Sequence, residues 1–195
     1  MLRSIPLFLI LLSFLNCGYS FSQSFSIENF PSESCEEIQK LSEYNTYVVS
    51  KDDLQMLHEC SGKKYSVFYT FTYWCKPCRE FVPDLVGFYY ENKPDFNLFF
   101  LIPEVVQDSK KQEYSRKSLT NFKEPIFAVS DEYGNRFRRK YSNFLTDFIP
   151  DFDVKEVGLG LGKIIVMGPD FEIVYVSTDG SLGKDKIKSL KELIE

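Results

Sequence analysis

Cys75-Lys76-Pro77-Cys78, entered through Trp74 and followed by Arg79 and Pro83, sets two thiols three positions apart. Such a pair can close a disulfide within itself and can attack a disulfide elsewhere. The approach, Tyr65 to Thr72, is rich in aromatic and β-branched residues and reads as a strand. Arg79 to Tyr90 reads as a helix with a proline inside it. A strand that delivers Cys-x-x-Cys onto a helix N-terminus is the arrangement of a redox site. Only a thiolate is a competent nucleophile, and a free cysteine with a pKa of ~8.5 is mostly protonated at neutral pH. Unpaired backbone N–H groups and the macrodipole at a helix start favour negative charge, and Lys76 adds a positive charge nearby. Cys75 is therefore the expected nucleophile and Cys78, one turn along, the resolving thiol. Trp74 and Pro77 shield the pair and fix the turn.

Two other readings of the cysteines compete. A Cys-x-x-Cys can be half of a zinc site, with His58 and Cys60 as two more ligands, but Trp74 and Pro83 have no part in a zinc knuckle. A purely structural bridge across so short a step offers little entropic stabilisation. Neither a metal nor an organic cofactor is expected. His58 is the only histidine, so a histidine-based catalytic system has little to build on, and it is expected to be structural or solvent-facing.

Several elements must position the pair. Ser22 to Ser34 reads as a polar, irregular arm, and Glu36 to Glu43 as a short helix. Thr46 to Val49 is a strand, and Ser50 is a good N-cap for a helix through Cys60 that Gly62 ends. Phe96 to Ile102 is a continuous apolar run, the mark of a strand buried on both faces. A polar helix spans about Gln107 to Asn121, followed by a strand at Ile126 to Val129 and a turn or helix from Glu132 to Tyr141. Lys163 to Met167 and Glu172 to Ser177 form a hairpin around Gly168-Pro169-Asp170. An amphipathic helix from Lys184 to Ile194 closes the chain, with Ile187, Leu190, Leu193 and Ile194 on one stripe. Alternating strands and helices ending in a hairpin predict an α/β fold, a central mixed sheet with helices on both faces.

The first residues read as a targeting segment. Arg3 gives a positive start, Leu7 to Leu15 is apolar apart from Ser13, and Ser20-Phe21-Ser22 offers small residues for cleavage before Gln23. The apolar stretch is shorter than the ~20 residues that cross a bilayer. Lipid attachment at Cys17 is the alternative, which Asn16 disfavours. The expected organisation is a signal peptide over 1–22, an N-terminal arm over 23–45 and one domain over 46–195. The net charge of −5 argues against a nucleic-acid partner. Nineteen phenylalanines and twelve tyrosines fit a β-containing core and name no ligand. Export would place the chain where disulfides persist. Cys35 and Cys60 are then either a second, structural bridge tying the arm to the first long helix or two free buried thiols, which sequence cannot decide.

Trp74-Cys75-Lys76-Pro77-Cys78-Arg79, with Pro83 and Leu85 beyond, resembles the thioredoxin superfamily, and within it the exported TlpA-like thiol–disulfide oxidoreductases. The likeness runs from about Thr46 to the C-terminus and includes that branch's extra strand and helix between the third and fourth core strands. Pro83 matches the proline inside the family's active-site helix. The resemblance implies an exported, monomeric enzyme in the periplasm or cell envelope. It would exchange disulfides with other exported proteins, as a reductase kept reduced by a membrane-bound electron donor. Three departures stand out. The family's cis-proline facing the cysteines falls on Gly162 here, with Pro125 as another occupant. The buried acid before the motif aligns with Tyr69. The glutamate past the second cysteine aligns with Phe81; Glu80 points to a different face of the helix, which leaves Glu104 as a candidate acid. The departures motivate a second reading, a binding or assembly module whose disulfide is not catalytic.

Two stretches carry less. Arg136 to Lys140 holds four positive charges in five residues, as a solvated face or a dock for an acidic partner. Ser142 to Val157 looks like an insertion whose aromatics form a lid or partner-binding edge near the cysteines, or a loop folded back on the core.

Overall fold

The computed structural model describes residues 25–181 and 183–194, apart from 94 and 120. The expected leader, its cleavage site and Cys17 lie outside these residues. The strands are β1 (Ile27–Asn29), β2 (Thr46–Val49), β3 (Tyr65–Thr70), β4 (Phe96–Ile102), β5 (Ile126–Val129), β6 (Ile164–Met167) and β7 (Ile173–Val176). The helices are α1 (Cys35–Ile38), α2 (Lys51–Ser61), α3 (Lys76–Asn92), α4 (Ser109–Lys117), α5 (Phe137–Phe148), α6 (Val154–Val157) and α7 (Gly183–Ile194).

All seven strands join one sheet in the order β1-β2-β5-β4-β3-β6-β7. The five strands from β1 to β3 run parallel, while β6 is antiparallel to β3 and β7 to β6. The extra strand β5 lies between β2 and β4. Successive side chains of a strand face opposite sides, and β3 uses this to build two cores. Val67 and Tyr69, with Phe71 just beyond the strand, pack with Leu85 and Val86 of α3 and Leu190 of α7. Phe68 packs on the other side with Leu54 and Leu57 of α2 and Phe144, Leu145 and Phe148 of α5. Helices therefore cover both faces, and the fold is the expected mixed α/β sheet.

Local chemistry sets the helix ends. Ser50 caps α2 in a capping box with Asp53, and Gly62 ends it at φ 63° in the left-handed region. Three segments differ from expectation. Ile27–Asn29 is not irregular: it pairs in parallel with Thr46–Val48 at the sheet edge. The helix expected over Glu36 to Glu43 is a single turn, Cys35–Ile38. Ser142 to Phe148 is no loop but the end of α5, where Tyr141, Phe144, Leu145 and Phe148 fall at i, i+3, i+4 and i+7 and are all buried. Cys35 is bonded to Cys60, so α1 is tied to the last turn of α2.

Candidate active site

β3, an inner strand between β4 and β6, hands the chain to α3 through a short turn, in which Cys75 N–H donates to the Thr72 carbonyl at 3.2 Å. Cys75 is the N-cap of α3, its Sγ accepting from Cys78 N–H at 3.3 Å. The two sulfurs are bonded to each other. Their exposure is unequal: Cys75 is partly exposed and Cys78 is buried. An incoming sulfur can therefore reach Cys75, whereas Cys78 can reach only its neighbour. Lys76 is exposed and pairs with Glu80 at 3.6 Å, so Glu80 does turn to a solvent face. Pro77 sits in the first turn, where a missing N–H is harmless, and Pro83 lies inside the helix, where it cannot donate to the turn before.

Gly162 stands against the buried sulfur. It has φ 78°, and a Cβ there would lie 3.1 Å from Tyr69 Oη, 3.2 Å from Cys78 Sγ and 3.8 Å from Lys186 Nζ. Its peptide bond is not cis, since no cis bond occurs among the described residues. Gly162 N–H donates to the Thr70 carbonyl at 2.9 Å, a bond no proline could make. Pro125 lies elsewhere, lining a cleft with Cys60, Leu57 and Phe127.

The loop ahead of Gly162 is held by two residues the sequence reading did not single out. Lys163 is buried, and its ammonium donates to the Val157 carbonyl and the Asp179 carboxylate. Asp179 also accepts from Gly160 N–H at 2.8 Å. A Cβ at Gly158 or Gly160 would fall 2.0 or 2.5 Å from that carboxylate, so side chains are excluded there by contact.

The candidate acids sort differently. Tyr69 lies beneath the pair and donates its hydroxyl to the Cys78 carbonyl at 3.3 Å, and burial pushes the phenol above its usual range. Phe81 packs edge-on against Tyr69. Glu104 is 2% exposed, and its carboxylate accepts from Trp74 Nε1 and from Ser115 Oγ, both at 2.9 Å. Burial pushes this carboxyl up to about 7, against the two hydrogen bonds that favour its charged form. Glu104 thus orients the Trp74 indole.

A groove of about 450 Å³ opens beside Cys75, walled by Trp74, Phe137, Arg138, Tyr141 and Leu159 to Leu161. The expected lid over Ser142 to Val157 does not form this wall; its first half is core. The basic run splits as well. Arg136, Arg138 and Arg139 are exposed, but Lys140 is fully buried and donates to Asp131 and to the Glu104 carbonyl. His58 is structural: it is buried, and its Nδ1 lies 2.8 Å from Ser66 Oγ. Among the described residues no group of three or more His, Cys, Asp or Glu is set to hold a metal ion, and no helix is long and apolar enough to cross a membrane.

A parallel sheet closed by an antiparallel hairpin, with a Cys-x-x-Cys capping the helix after an inner strand, has the arrangement of a thioredoxin-like fold. The sequence matches no protein-family model and no curated protein. Solved structures of similar shape exist. The thioredoxin domain of a thiol-disulfide oxidoreductase from Bacteroides vulgatus is 15% identical, with a TM-score of 0.46 over 68% of this chain and 80% of that one. A thiol:disulfide interchange protein from Chlorobium tepidum is 16% identical, with a TM-score of 0.46 over 68% of this chain and 81% of that one. StoA from Bacillus subtilis is 12% identical, with a TM-score of 0.40 over 65% of this chain and 83% of that one.

Proposed function

We propose that this chain is an exported thiol–disulfide oxidoreductase that reduces disulfides of other extracytoplasmic proteins. The observation that carries the reading is the unequal pair: a reachable Cys75 at a helix start, bonded to a buried Cys78. In the reduced enzyme the Cys75 thiolate attacks a client disulfide, forms a mixed disulfide, and expels the other client sulfur as a thiolate that takes up a proton. Cys78 then attacks Cys75 Sγ, closing the internal disulfide and releasing the second client thiol. Two electrons pass to the client, and a membrane-bound dithiol donor restores the enzyme. Export is supported by the leader-like pattern over 1–22 and by a second disulfide, Cys35–Cys60, which is at home in an oxidising compartment. The groove beside Cys75 gives the client's flanking residues a surface.

The test is insulin reduction by the wild type, Cys75→Ala and Cys78→Ala. Both variants should lose turnover, and Cys78→Ala should accumulate mixed disulfides through Cys75. If alkylation of the reduced protein finds Cys75 no more reactive than Cys35 or Cys60, the nucleophile is misassigned. The rival reading, a binding or assembly module with a non-catalytic disulfide, is favoured by the apolar Phe81 and the weakly acidic Tyr69 around Cys78. A reduction potential far below about −300 mV would favour it, because such a disulfide is too stable to turn over.

A further inference from the structure

Cys78 must be a thiolate to attack the mixed disulfide, yet it is buried, and burial disfavours the charged form of a thiol. Neither position from which the family supplies a carboxylate carries one here. The structure puts another group in that space. Lys186 reaches from the second turn of α7 towards the pair and donates to the Gly162 carbonyl at 2.6 Å. The vacant Cβ position of Gly162 lies 3.2 Å from Cys78 Sγ and 3.8 Å from Lys186 Nζ, so ammonium and sulfur border the same vacant position. α7 is brought this close because Gly183 sits against Phe81, where a Cβ would meet the ring at 2.6 Å. Phe81 also lies under the Lys186 ammonium, 5.8 Å from Nζ to the ring centroid.

Building on the redox reading of Cys75 and Cys78, we propose that Lys186 holds Cys78 as a thiolate once the disulfide opens, a cation standing where a buried carboxylate was expected. The thiol proton passes to the amine when Lys186 is neutral and to solvent when it is already charged. Either way an ammonium faces a thiolate, and that thiolate then bonds to Cys75 Sγ as the client sulfur leaves with its electron pair. The surroundings agree. Tyr69 Oη, the other polar atom beside the vacant position, stays protonated and cannot take the proton. Burial lowers the Lys186 pKa, Lys163 lowers it further, and Asp179 opposes them. These are the charged groups that face it from the glycine loop and the strand-to-helix turn, with Lys184 and Asp185 exposed on its own helix.

The test reacts the reduced full chain with oxidised glutathione, quenches with acid at intervals, and follows by mass spectrometry the peptide that carries both cysteines. Formation of the glutathione adduct reports Cys75, and its decay to the internal disulfide reports Cys78. Lys186→Gln keeps a donor for Gly162 and removes the charge. It should slow adduct decay about tenfold at pH 7 and move the midpoint of its pH profile up by about one unit, the two being equivalent below the midpoint. Lys186→Arg should restore most of the rate. Lys186→Met is a second neutral variant should the first not fold. An unchanged midpoint overturns the proposal, as does a slowing equal at every pH, which marks a packing defect. Failure of the underlying redox reading has a separate signature: adduct formation no faster than exchange between glutathione molecules, in wild type and variants alike.

Discussion

Trp74 Nε1 donates to the Glu104 carboxylate at 2.9 Å, so the indole beside the reachable cysteine is fixed by a buried acid two residues past the end of β4. Lys140 and Gln112 hold the backbone of that same acid by donating to its carbonyl at 2.7 and 3.0 Å. The exposed face of the site therefore rests on a titratable group, and two consequences follow from its sign.

The Glu104 carboxyl stands at about 7 in the folded chain against 4.5 when free. Below about 4.5 it is protonated in both states and its contribution to stability is greatest. Between 4.5 and 7 the unfolded chain releases its proton first, so stability falls as pH rises, and above 7 the loss is complete. The loss is on the order of 3 kcal/mol at ~1.36 kcal/mol per pKa unit. Glu104→Gln should remove this component from the pH dependence measured by denaturant unfolding of the oxidised protein between pH 4.5 and 8. Trp74 is the sole tryptophan, so its emission should titrate with a midpoint near 7 in the wild type and not in Glu104→Gln. A wild-type emission that stays flat across that range would remove the link.

Gly162 holds a left-handed backbone and donates its N–H to Thr70, and both count against the residue the thioredoxin family places there. Gly162→Pro should destabilise the oxidised protein by about 3 kcal/mol or more, because the ring forbids positive φ and removes the donor. Gly162→Ala keeps the donor. It should cost about 1–2 kcal/mol from left-handed strain, with its methyl group crowding Tyr69 Oη and Cys78 Sγ. Equilibrium unfolding of the two variants should rank them wild type, alanine, proline. A proline variant as stable as wild type would mean the loop can adopt a different path.

The Cys35–Cys60 bridge closes a loop with a sequence separation of 25 and anchors the one-turn helix that follows β1. Chain entropy predicts that Cys35→Ala/Cys60→Ala loses about 3 kcal/mol of stability. Cys60 packs against the core on the α2 and α5 side of the sheet, Cys35 is exposed, and neither lines the groove beside Cys75, so insulin reduction at 25 °C should keep its wild-type rate. A matched loss of rate in a folded variant would place the bridge in the reaction.

What could be read from the sequence divides along the range of the interactions. β2, β4 and β5 have the ends expected of them, since each is an apolar run bounded by turn chemistry. Ser50 and Gly62 act as the caps their types announce. β1 was not legible, because two of its three residues are exposed and only pairing with β2 makes it a strand. In α5 the spacing of Tyr141, Phe144, Leu145 and Phe148 was a readable helical stripe, obscured by the Asp and Pro residues just after it. Lys140 could not be told from its arginine neighbours, because its burial depends on Asp131 and on the carbonyl of Glu104 in the loop after β4. Cys75, Cys78 and Gly162 were singled out by the motif and by resemblance, because their spacing is local to the chain. Lys163, Asp179 and Lys186 were not, since each matters only through a partner far along the chain.

Asp179 offers the sharpest link from that hidden network to the site. Its carboxylate neutralises the buried Lys163 and takes the Gly160 amide, and so fixes the loop that ends on Gly162. Asp179→Ala leaves the Lys163 ammonium buried with only the Val157 carbonyl. Removing one partner of a fully buried pair costs about 3–5 kcal/mol, and the half-exposed carboxylate here brings the expected loss nearer to about 2 kcal/mol. Lys163→Met should relieve it, so the double variant should be more stable than Asp179→Ala alone. Freed from Asp179, the glycine loop no longer holds the Gly162 carbonyl against Lys186, and insulin reduction should fall while Cys75 alkylation stays fast. Alkylation and turnover falling together would instead trace the damage to the helix start itself.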